Sequence, residues 1–134
     1  LNSNLDNPFK MANTLLRGDA GQAFTLSRAL IRDGEEPLFL LALLQGECRR
    51  MLAVKMLRGA GMQPDAIAGK IGAPPFAVRQ MYQQVARYTE RQLRDMAQCC
   101  MDTEYQVKSG RMALEGALEK TMLQLLRIRL EGKA

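Results

Sequence analysis

The chain contains no histidine and no tryptophan, and aromatic residues make up 5% of its 134 positions. Without imidazole, neither a Cys-His nor a Ser-His nucleophile pair can be assembled, and the commonest transition-metal ligand is missing. The three cysteines, Cys48, Cys99 and Cys100, are an odd and sparse set. Adjacent cysteines on one helix point in different directions and do not readily bridge, so a reduced setting is the natural reading. No run approaches the roughly 18 to 20 apolar residues needed to cross a bilayer. Even the richest stretch, Pro37 to Leu44, meets Gln45 and Glu47. The opening at Leu1 has no basic or apolar leader pattern, so the chain reads as an excised piece of a longer protein rather than a secreted precursor.

What is present is helix-forming. The content is 47% apolar and rich in Leu, Met, Ala, Gln, Arg and Glu, which favours helix over sheet. This length suits a single domain, expected to occupy residues 1–134. A formal charge of +5 is mild and dispersed, as on an ordinary solvated surface.

Periodicity predicts six to seven helices in an antiparallel bundle, all-α, with no period of two and no internal repeat. Asn7 before Pro8 marks a first start, and Phe9, Ala12, Leu15 and Leu16 form its apolar face. Gly18 stops that helix, Asp19 caps the next, and Ala23, Leu26 and Leu30 recur up to Gly34. Pro37 opens a long helix that is apolar around its circumference from Leu38 to Leu44, which predicts a central element covered on several sides. A short helix follows from Pro64, a turn at Gly72 to Pro75, then a stripe of Phe76, Val78, Met81, Tyr82 and Val85. Thr89 with Gln92 resembles a capping box, followed by Leu93, Met96, Ala97, Cys100 and Met101. After Ser109-Gly110, a last helix carries Leu114, Ala117, Leu118, Thr121, Leu125 and Ile128 and ends near Gly132.

The chemical motifs are weak. Gly69-Lys70 has Ile71 where a phosphate-binding loop needs Ser or Thr, and no strand precedes it. Glu35-Glu36 stand at a helix start, where negative charge suits the helix dipole without any catalytic role. Pro64 to Arg87, with Arg79 and Arg87, has the outline of a DNA-binding helix-turn-helix. Its second helix, however, opens on Pro75-Phe76-Ala77-Val78 rather than on polar, base-reaching residues. Arg49, Arg50, Lys55 and Arg58 lie on one long helix and form a candidate basic contact face. On the last helix Leu123, Leu126 and Leu130 make a second stripe beside the core-facing one; either the helix presents a wide core-facing surface to two neighbours, or these residues with Arg127 are a candidate interface with a partner. No catalytic, cofactor or metal residue emerges.

Three stretches taken in order carry a resemblance: Asn7-Pro8-Phe9 through Leu15-Leu16-Arg17-Gly18-Asp19, Ala29-Leu30 through Gly34-Glu35-Glu36-Pro37, and Ile71-Gly72-Ala73-Pro74-Pro75-Phe76. With Gln84-Val85-Ala86-Arg87-Tyr88-Thr89 and Asp102-Thr103-Glu104-Tyr105 leading into Lys108-Ser109-Gly110, the chain resembles the C-terminal collar domain of the delta subunit of bacterial DNA polymerase III. The resemblance implies a cytoplasmic, non-catalytic third domain behind two ATPase-like domains. It implies collars of five subunits packed in a ring, a clamp contact made by the missing part, ATP hydrolysis by other subunits, DNA in the full complex, and no membrane. These are packing and turn motifs, so no site residue carries over. A small helix-turn-helix-like nucleic-acid-binding domain is the competing expectation.

Overall fold

In the computed structural model the described residues run from Asp6 to Glu131. They form α1 (Asp6–Leu16), α2 (Ala20–Arg32), α3 (Pro37–Gly59), α4 (Pro64–Ile71) and α5 (Pro75–Gln84). A 3-10 turn (Val85–Arg87), α6 (Glu90–Lys108) and α7 (Ala117–Glu131) follow, with no strand among the described residues.

The helix boundaries follow local chemistry. Prolines open α3, α4 and α5, where their missing N–H is not needed. The first helix starts at Asp6, one residue before the expected Asn7, and holds Pro8 in its first turn, where it is tolerated. Asp19 Oδ1 accepts from the Gln22 amide at 3.3 Å. Thr89 and Gln92 close a complete capping box at 3.0 and 2.8 Å. The last helix begins at Ala117, so Leu114 lies in the preceding turn, outside the helical register that the apolar spacing suggested.

The core is built around α3, which packs on α1, α4, α5, the 3-10 turn, α6 and α7, most extensively on α6. Leu40, Leu41, Leu44, Cys48, Met51 and Val54 are fully buried. Coverage of α3 is broad on one side rather than complete. Phe39 is 40% exposed and Ala42 faces solvent, because the surrounding helices crowd the side that carries Leu40, Leu44 and Cys48. Two other expected core residues are also on the surface. Phe76 stands roughly 180° around α5 from Val78, Met81 and Val85, at ~100° per residue, and is 64% exposed. Met101 falls at the edge of the buried side of α6 and is largely exposed.

A polar knot ties distant helix ends together. The Tyr88 hydroxyl donates to the Leu16 carbonyl, and Arg129 Nη2 donates to the Arg17 carbonyl at 3.0 Å. Both acceptors lie at the C-terminal end of α1, where the helix leaves carbonyls unsatisfied. Gly18 completes this end at φ +90, and a Cβ there would come within 2.5 Å of Arg129 Nη1. Gln92, already part of the capping box, also donates through Nε2 to the carbonyls of Ile128 and Arg129 in the last turn of α7, at 3.0 and 3.2 Å. One amide thus serves the start of α6 and the end of α7.

Leu41 is 1% exposed inside this packing. Replacement by Ala should lower unfolding free energy by roughly 2–5 kcal/mol, through lost burial and a residual cavity. A urea denaturation midpoint shifted by less than about 0.5 kcal/mol equivalent would make α3 peripheral.

The knot has its own pH signature. Burial pushes ionisation of Tyr88 up to about 12, with nearby Arg129 pulling the opposite way. A tyrosine in the unfolded chain ionises near ~10. The folded state therefore holds the neutral phenol, and its stabilisation is complete below ~10 and is lost as pH rises towards the folded value. Between those limits the stability of the protein should fall more steeply than that of Tyr88→Phe. Parallel slopes for the two proteins would exclude the knot as the cause.

Candidate functional site

The exposed side of α7 is the strongest candidate surface. Its core side is set by Leu118, Thr121, Met122 and Leu125, all buried, with the Thr121 hydroxyl 3.0 Å from that of Thr103 on α6. Leu123 and Leu130 project away from this side at 59% and 64% exposure. Leu126 lies between them but is half-buried and packs against the core, so the stripe divides into two exposed leucines and one shared one. Arg127 is exposed and reaches Glu131 at 3.9 Å. Lys120, Leu123, Gln124 and Arg127 line a shallow groove along the same surface.

The four cations of α3 do not form a common face. Arg49 and Arg58 lie roughly 180° apart on the helix at ~100° per residue. Arg50 pairs with Glu47. Lys55 Nζ donates to the Val85 carbonyl at 3.1 Å, and Arg58 donates to the Tyr82 carbonyl while its guanidinium stacks 4.5 Å from the Tyr82 ring centre. Both acceptors lie at the C-terminal end of α5, where positive charge meets the negative end of the helix dipole. Arg49 alone of the four is exposed with no ion pair among the described residues.

Burial favours the neutral forms of two cysteines and of Glu47. A hydrogen bond with Cys48, then burial, raises the Cys100 thiol far above its ordinary value, and burial pushes Cys99 up to about 11. Neither is an activated thiolate. Burial raises the Glu47 carboxyl, against the opposing pull of Arg50. Gly69 and Lys70 lie inside α4, so they form no phosphate-cradling loop. No cluster of three or more metal-ligating residues occurs among the described residues. No described helix is long and apolar enough to cross a membrane.

The segment with the outline of a helix-turn-helix does fold as α4, a turn and α5. Its buried Val78 and Met81 are committed to packing, and Arg79 ion-pairs with Asp65 of α4 at 3.0 Å. Two apolar recesses escaped sequence reasoning. One, between α1, α3 and α5, is lined in part by Phe9, Phe76 and Met81. The other joins Ile31, Pro37, Leu114 and Leu118. Their lining residues come from separate elements, so no local spacing could have signalled either.

Residues 5–125 match the family described as DNA polymerase III delta subunit, C-terminal domain. The chain is 26% identical over 121 residues to DNA polymerase III subunit delta of Bacillus subtilis (strain 168), covering 90% of this chain and 35% of that protein. Its fold is similar to a solved structure of the Bacillus subtilis DNA clamp loader delta protein, with a TM-score of 0.81 at 26% identity, covering 90% of this chain and 36% of that one. The chain thus spans about a third of the length of the relatives it matches.

Charge substitutions should separate the two kinds of leucine on α7. Leu123→Glu and Leu130→Glu should each alter unfolding free energy by no more than about 0.5 kcal/mol, whereas Leu126→Glu should cost on the order of 1–3 kcal/mol because its side chain is shared with the core. Urea denaturation of the three variants reads this directly. Loss of a cooperative transition in Leu123→Glu would assign the whole stripe to the core.

Proposed function

This chain belongs to the family formed by the C-terminal domain of the DNA polymerase III delta subunit, and from that premise we propose that it is a non-catalytic assembly domain of a bacterial clamp loader. It packs with the collar domains of other subunits in the cytoplasmic complex that loads the sliding clamp during DNA replication. The rest of the subunit meets the clamp, and DNA is engaged by the complete complex within the DNA polymerase III holoenzyme. The observation that carries this reading is the exposed Leu123–Leu130 stripe on a helix whose other side is already core. Exposed aliphatic residues in line on a well-packed helix suit a surface that a partner covers. Arg127 supplies polar contact at the margin of that interface.

The competing reading, a nucleic-acid-binding module built on Pro64 to Arg87, has less to support it. Arg79 is paired with Asp65, and Lys55 and Arg58 beside α5 are engaged as helix caps. Phosphate-driven binding requires cations that can exchange their counterions for a nucleic acid backbone.

The test is reconstitution of a clamp loader from its purified subunits, with Leu123→Glu and Leu130→Glu introduced together into the full-length protein. Incorporation should fall by roughly tenfold or more, since a charge in an interface core is costly only when a partner covers it. Normal incorporation would place the contact elsewhere. Submicromolar, steeply salt-dependent binding of the 134-residue chain to single-stranded DNA would favour the competing reading.

A further inference from the structure

A second apolar opening lies where the end of α2, the start of α3 and the start of α7 meet. Ile31, Pro37, Leu114 and Leu118 line a groove of about 450 Å³. Leu118 is buried, while Ile31 and Leu114 are held open at 40% and 39% exposure. The groove is independent of the Leu123–Leu130 stripe and shares no residue with it.

Its surroundings are acidic. Glu115 and Glu119 belong to the lining, and Asp33, Glu35 and Glu36 occupy the turn that joins Ile31 to Pro37. This concentration of five carboxylates occurs in a chain of net charge +5. Of the five, Glu119 alone forms an ion pair among the described residues, an exposed one with Arg28 at 3.6 Å. Arg28 and Arg32 on α2 offset part of this charge, and Glu115 is the lining carboxylate with no ion pair among the described residues.

We propose that this groove docks a short segment of a partner protein presenting one bulky apolar side chain flanked by lysine or arginine. The apolar side chain displaces water from Ile31, Leu114 and Leu118, which supplies affinity. The flanking cations meet the carboxylates of Glu36 and Glu115, which sets orientation and excludes acidic segments. A contact of this size is weak and exchanges quickly, so it suits a transient partner rather than a permanent neighbour.

The test is a methyl NMR titration of the 134-residue chain with two synthetic peptides, KKLFKK and EELFEE. Shifts with KKLFKK should concentrate at the methyls of Ile31, Leu114 and Leu118. Binding of EELFEE should be about tenfold weaker or more, and Glu115→Lys should weaken KKLFKK roughly threefold to tenfold. Glu115 is exposed and precedes α7, so this variant keeps the fold, which an unchanged circular dichroism melt verifies. Equal binding of both peptides, shifts centred elsewhere, or none at millimolar peptide would overturn the proposal. Concentration-dependent shifts at the same methyls without peptide would do so too, since the occupant would then be a second copy of the chain.

Discussion

The packing of α3 against α6 is the contact on which the remaining helices depend. The buried side of α3 meets the buried side of α6, and α1, α4, α5 and α7 then find places against the pair. Each fully buried leucine contributes ~1.5–3 kcal/mol relative to exposure, so Leu40, Leu41 and Leu44 together outweigh any surface ion pair in the molecule. With so much apolar surface on one helix, α1, α4, α5, α6 and α7 pack along it, while α2 rests on α1 and α7. Side chains such as Phe39 and Phe76 lie where that packing leaves them only partly covered.

A second constraint acts on polar groups. The seven α-helices among the described residues leave many orphan carbonyls and amides, and several long cations and amides satisfy them. Lys55 and Arg58 close α5, Arg129 and Tyr88 close α1, and Gln92 serves both α6 and α7. The charge that gives the chain its basic balance is therefore partly engaged in satisfying helix ends. The exposed positions of α7 set Leu123 and Leu130 among Lys120, Gln124, Arg127 and Glu131.

Several titratable side chains are instead drawn into the core. Cys48 and Cys100 are both fully buried in the core, and Glu47 is buried beside Arg50. The exposed leucines of α7 and Glu115 beside the groove near Pro37 lie outside this buried set.

Fold class and helix punctuation were legible in the amino-acid order alone. Helical periodicity, prolines at helix starts, Gly18, Asp19 and the Thr89–Gln92 box are local signals, since each acts within one or two turns of its own position. On the last helix, spacing placed Leu118 and Leu125 on the core side, but it did not separate the exposed Leu123 and Leu130 from the half-buried Leu126. Which neighbours each helix meets was settled by packing. Packing exposed Phe76, Met101 and Leu114, drew Leu126 partly into the core, and turned Lys55 and Arg58 from a supposed contact face into caps for α5. It also joined Ile31, Pro37 and Leu114, which are far apart in the chain, into one groove. Spacing tells which residues share a face of a helix. Whether another helix covers that face depends on how the whole set packs, and no local pattern encodes it.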